Sequence, residues 1–280
     1  MMLGNGDVRV MVDAAHGGAI RELSWRGLPV LRTALSATDT DPFSTACFAL
    51  VPYANRIAQG RFAFRGIEIG LRRNWDRDAH PLHGQGWRLP WSVEQSSVAA
   101  ATLVFAGGGD DWPWRYRAVQ EFAVLAAGLK VRLSVANLAD SPMPAMLGLH
   151  PYFPQAAVAT VETSATTVWL PDAQALPIEE VRIPPEWSFQ TARPATLVAL
   201  DHCFDHWQGV ATLRWPDRVV RMTATGCRAL HVYTPAKADF FCLEPQSAPV
   251  GALNRVQGEV AVLGPGENLQ ISVEFIVERA

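Results

Sequence analysis

The stretch Tyr116 to Val135, YRAVQEFAVLAAGLKVRLSV, decides the fold class. Apolar residues recur at every second position on both sides of Ala126-Ala127-Gly128, which is the period of a half-buried strand. Val, Leu and Phe suit a pleated surface, and the small-residue break reads as a reversal. The segment predicts two antiparallel strands. Working outward, ATLRW, RVVRMTAT, ALHVYT and FFCLE carry further short strand patterns separated by turn residues. The C-terminal GEVAVLGPGENLQISVEFIV predicts another hairpin, reversed at Gly264-Pro265-Gly266-Glu267. Helical periodicity is nearly absent, and the 20 prolines are spread where they would break long helices. Many short strands with frequent turns predict an all-β sandwich or barrel.

No Pro/Gly/Ser-rich linker interrupts the chain, so residues 1–280 are expected to form one large domain. The Pro-rich, weakly patterned run from Pro171 to Pro194 reads as a long surface excursion. A hydrophobic fraction of 49% against 18% charged residues supplies ample core. Lys+Arg 24 against Asp+Glu 27 gives a net charge of -3, with no basic run, which argues against a nucleic-acid surface. The first residues carry Asp7 and Asp13 without an apolar core segment, unlike a secretory signal. No apolar stretch reaches membrane-spanning length. The four cysteines, Cys47, Cys203, Cys227 and Cys242, are scattered and are expected to be free thiols, which points to a cytoplasmic protein. A monomer or a homodimer is compatible with these features.

Four segments concentrate polar groups among apolar and aromatic neighbours. In VPYANRI, Asn55 and Arg56 could present a guanidinium to hydroxyls, or simply shape a turn and reach water. HPLHG lies within the irregular polar interval from Arg72 to Arg88, where long loops of compact β domains tend to carry function. There His83 can both donate and accept, and Gly84 permits a close backbone approach. A metal reading of HxxH would need a third ligand. In LGLHPYFP, His150 is set between a strand end and a rigid Pro-aromatic run, and its unperturbed pKa suits acid or base duty. A structural core histidine fits the same residues. In FCLEPQ, Glu244 directly follows the apolar FFCL, so burial is expected to raise its carboxyl toward a useful base.

Taken together and in order, VPYANRI…HPLHG…LGLHPYF…CLEPQSAPVGALN resembles the aldose 1-epimerase (galactose mutarotase) family over roughly residues 50 to 255. The resemblance implies a large β-sandwich of galactose-mutarotase type with a sugar pocket on its concave face. It implies His150 as general acid and Glu244 as general base, with Asn55, Arg56, His83 and Asp201 on the substrate. In ALDHCFDHW the near neighbour Asp205 competes with Asp201 for that role, and the Asp/His/Cys cluster there could also be read as metal ligands. The family needs neither a metal nor another cofactor, and its partner is a small sugar. Gly251 stands where many members carry an acidic residue, whereas Asn254 is retained. A hexose-6-phosphate epimerase would use the same acid-base logic and need a basic phosphate subsite, for which Arg72, Arg73 and Arg88 are candidates. A non-catalytic sugar-binding module is the third reading, and intact His150 and Glu244 argue against it. The glycines at 107 to 109 lack the Lys and helix of a phosphate cradle and read as a turn.

Overall fold

The structure, a computed structural model, describes residues 1–35, 39–255 and 259–280. Among them, eleven strands form one sheet, nine form a second, and helix is confined to three-residue 3-10 turns. One cluster of buried side chains spans both sheets, from Leu3 to Val277. The fold is the all-β sandwich that the sequence predicts.

The deciding stretch forms the centre of the smaller sheet. Tyr116–Leu125 and Gly128–Asn137 pair antiparallel around the predicted reversal, Tyr116 opposite Asn137 and Leu125 opposite Gly128. Gly128 is required there, because a Cβ would stand 1.8 Å from the Phe275 carbonyl oxygen. Inward residues such as Phe122, Val131 and Leu133 are buried, and outward ones reach water.

The expected C-terminal hairpin does not form. The reversal exists, with the Glu267 N–H donating to the Gly264 carbonyl at 3.0 Å. Ala261–Leu263, however, pairs with Met143–Ala145. Asn268–Arg279 is flanked on one edge by Gly128–Asn137 and on the other by Arg218–Thr225, which leaves no edge for its own upstream segment. The Pro171 to Pro194 excursion also differs from expectation. Thr167–Pro171 and Pro177–Arg182 form a hairpin at the rim of the larger sheet, with a register shift at Pro171. An edge tolerates the missing proline donors, so a Pro-rich sequence can still be a strand.

The larger sheet positions the site. Cys47–Leu50, Gly148–Pro154, Phe240–Gln246, Ala229–Tyr233 and Asp201–Asp205 lie side by side in that order. Every residue of Gly148–Pro154 is buried, as is all of Phe240–Gln246 after Phe240. Strands buried on both faces lie under a second layer, and here loops from the first half of the chain form it: Val51 bridges Gly84, and Arg56 bridges Leu82. Gly84 has φ +74° and a Cβ there would meet the Val51 carbonyl oxygen at 2.3 Å, so its close approach is to this loop backbone. No helix among the described residues is long and apolar enough to cross a membrane.

Candidate active site

Antiparallel register brings the key side chains together. Gly148 opposite Gln246 and Tyr152 opposite Cys242 bracket His150 and Glu244. His150 Nε2 lies 3.2 Å from Glu244 Oε1. On the other side, Glu244 is the cross-strand partner of His231. One strand further, His231 Nε2 sits 2.7 Å from Asp201 Oδ1. These four residues line a cavity of about 410 Å³, together with Asn55, Arg56 and His83 from the covering loops. That volume falls within the roughly 300–1,000 Å³ of small-molecule sites.

Packing fixes the His150 ring. It stacks between Phe48 and Tyr152, with centroids at 4.5 and 4.7 Å. Beyond Tyr152, the Arg32 guanidinium lies 3.6 Å from the tyrosine centroid. Arg32 is itself held by the Thr45 carbonyl at 2.9 Å and the Phe43 carbonyl. A column of guanidinium, phenol, imidazole and phenyl thus leaves the histidine little freedom to tilt.

The loop residues are equally constrained. The Asn55 N–H donates to His83 Nδ1 at 3.1 Å, so the neutral ring carries its proton on Nε2. Burial first, then the neighbouring His150 and Arg56, hold the His83 pKa well below the usual histidine value. Asn55 Oδ1 accepts from the Arg56 N–H at 2.9 Å, and Arg56 Nε donates to Asp78 at 2.8 Å. Asn254 braces this loop from below, accepting from the Ala58 N–H at 2.8 Å and donating to the Arg61 carbonyl at 2.6 Å. Gly251 has φ +70°, and a Cβ there would stand 2.4 Å from Pro177 Cγ, so local geometry accounts for glycine at that position.

Electrostatics divide the site into two pairs. Burial raises the Glu244 carboxyl to about 7, against the lowering effect of His231. Burial, reinforced by the charge of His231, lowers His150 to about 3. His231 behaves oppositely. Burial alone would lower it, but the Glu244 and Asp201 carboxylates outweigh burial and raise it to about 10. Asp201 is correspondingly held down at about 2, because His231 overcomes the effect of burial.

All six residues expected at the site line the one cavity. Between the two candidate aspartates the geometry discriminates. Asp201 faces the cavity, whereas Asp205 is buried and held by Arg228 at 3.1 and 3.0 Å, with Trp169 donating at 3.4 Å. His80 is not in the cavity; its ring meets the Gln59 N–H and Gln174. The two histidines of HPLHG thus serve different neighbours and form no ligand pair. Arg72, Arg73 and Arg88 line a separate cavity of about 380 Å³, and Arg72 pairs with Asp110. His150, Cys242 and Glu244 bring ligand-type atoms within 4.8 Å of one another. Burial holds the Cys242 thiol well above its usual pKa. Glu180, Asp205 and His206 form a similar group, but Asp205 is already occupied by Arg228. Sequence reasoning overlooked His231, Tyr152 and Arg32. The signal for His231 was its phase in ALHVYT, where Ala229, His231 and Tyr233 share one face of a strand.

Comparison with known proteins agrees with this architecture. Residues 2–275 match the family model described as aldose 1-epimerase. The Escherichia coli K12 protein YphB is 33% identical over 290 residues, covering 99% of this chain and 98% of YphB. A crystal structure from E. coli K12, of a protein named as a candidate aldose 1-epimerase, superposes with TM-score 0.93 at 30% identity, covering 100% of this chain and 98% of that one. Galactose 1-epimerase from Lactobacillus acidophilus NCFM shares the fold, with TM-score 0.83 at 16% identity over 100% of this chain and 94% of its own. The chain therefore belongs to the aldose 1-epimerase family.

Proposed function

We propose that the protein interconverts the α and β anomers of a free aldose by acid-base catalysis, without a cofactor. The observation that carries this reading is the His150–Glu244 contact of 3.2 Å inside a cavity of sugar-binding size. Family membership supports an isomerase-type enzyme, and the residues supply a balanced chemistry. The Glu244 carboxylate takes the proton of the anomeric hydroxyl while the His150 imidazolium gives its proton to the ring oxygen. The bond between the anomeric carbon and the ring oxygen breaks, leaving the open aldehyde. After rotation beside the aldehyde, the reverse transfers close the ring on the other face. The pair starts and ends each half with one proton, and its internal shift crosses only the 3.2 Å contact. Each positioned transfer contributes about 100- to 10,000-fold. His83 Nε2–H, Arg56, Asn55 and Asp201 hold the sugar hydroxyls.

A 6-phosphorylated sugar is disfavoured as substrate. The cations proposed for its phosphate line another cavity, while Arg56 and Arg32 at this one are engaged by Asp78 and by carbonyls. Anomer exchange measured by NMR magnetisation transfer on free and 6-phosphorylated aldoses tests the reading. Exchange above the buffer rate on a free aldose, with the phosphorylated form slower, is expected. Sugar binding without catalysed exchange would instead make the protein a binding module.

A further inference from the structure

His231 lines the cavity but belongs neither to the acid-base pair nor to the residues that hold the sugar. His231 stands directly across the sheet from Glu244, and its Nε2 is tied to Asp201 at 2.7 Å. Its side chain is 8% exposed and that of Glu244 3%, whereas the Asp201 side chain is 46% exposed at the cavity mouth. We propose that His231 is a positioning residue: as a cation pinned by Asp201 beside Glu244, it fixes the pH range over which the Glu244–His150 pair holds its single proton. This rests on the acid-base reading above.

The surroundings of Glu244 single out this cation. From Gly148–Pro154 it meets His150 and Tyr152, which are neutral; from Cys47–Leu50 and its own strand it meets the protonated thiols of Cys47 and Cys242. Tyr233 is neutral, and His83 in the covering loop is neutral too. His202, beside Asp201, is lowered by burial and by His231. Arg56 is a cation, but it contributes less to Glu244 than His231 does and is already paired with Asp78. Asp201 is the opposing anion; it raises Glu244 while locking His231 in its charged form. On its other side His231 has Cys203 as cross-strand partner. His231 is thus the main positive charge favouring the Glu244 carboxylate over its acid. The same charge disfavours a proton on His150, so it acts on both members of the pair.

The test follows the Glu244 carboxyl carbon by 13C NMR across pH, assigned by its loss in Glu244→Gln, alongside kcat/KM for anomer exchange. In His231→Gln the Glu244 titration and the alkaline limb of kcat/KM should both move upward by about 1–3 pH units. In His231→Lys, which keeps a positive charge at this place, both should stay closer to the unsubstituted values. Mere loosening of the site would not be reversed by restoring the charge. In the unsubstituted protein, 15N-histidine spectra should show His231 as imidazolium at pH 7.5, which keeps the test open should His231→Gln not fold. An unmoved Glu244 titration in His231→Gln, or a neutral His231 at pH 7.5, would overturn the proposal. If Glu244 shifts as stated but no aldose is turned over, the positioning role stands and the epimerase reading fails.

Discussion

The two sheets use their second faces differently. Along Gly128–Asn137 in the smaller sheet, buried and half-buried residues alternate, and the half-buried outward positions form ion pairs such as Arg132–Glu121 at 3.2 Å and Lys130–Glu274 at 2.9 Å. Along Gly148–Pro154 and Phe240–Gln246 in the larger sheet, burial is continuous. One face meets the shared core and the other lies beneath loops and lines the cavity, so His150 and Glu244 are largely withdrawn from bulk water. A glutamate at an outward position of the smaller sheet, such as Glu121, reaches solvent and an ion-pair partner. At position 244 burial raises the same carboxyl to about 7. A second covered face therefore turns ordinary side chains into reactive ones.

Substitutions on the two faces should separate cleanly. Glu244→Gln keeps shape and loses the base, so catalysed anomer exchange should fall by about 100- to 10,000-fold. His150→Ala should fall in the same range and also leave a gap between Phe48 and Tyr152. Polarimetry on a freshly dissolved single anomer reads both, and full activity in either variant would remove that residue from the chemistry. Phe275→Ala, in the core face of the smaller sheet at 0% exposure, should cost about 3–5 kcal/mol of stability by denaturant titration. Its folded fraction should keep the unsubstituted pH profile; a changed profile would mean that the sheets are not functionally separate. The smallest effect is expected at Arg72, which is exposed and paired only with Asp110. Arg72→Ala should leave kcat/KM on free aldoses unchanged, because exposed pairs contribute little and this one lies outside the site.

The same contrast explains what the sequence revealed. Where one face is wet, alternation is explicit, and the Tyr116 to Val135 reversal is placed correctly from pattern alone. Arg218–Thr225 coincides with the RVVRMTAT run for the same reason. Pairing partners were less legible, because the Ala261–Leu263 strand has no local mark of its partner Met143–Ala145. Within the site, His150 and Glu244 stood out as polar residues in apolar runs. Asp201 and Asp205 could not be told apart, since both point to the same face of one strand, and Arg228, which claims Asp205, is distant in sequence. His231 was hidden inside a regular strand pattern, and its role depends on two neighbouring strands that only the fold brings beside it.

The central claim is that one proton, shared by Glu244 and His150, carries the reaction. The pH dependence of kcat/KM reports the free enzyme and tests this directly. Above about 7, where Glu244 gives up its proton, the pair is empty and His150 has nothing to donate. By polarimetry, corrected for the uncatalysed rate, kcat/KM should be level through mildly acid pH. It should then fall about tenfold per unit above that point, as expected for loss of a single required proton. A rate that keeps rising from pH 7 to 9 would contradict the shared-proton account.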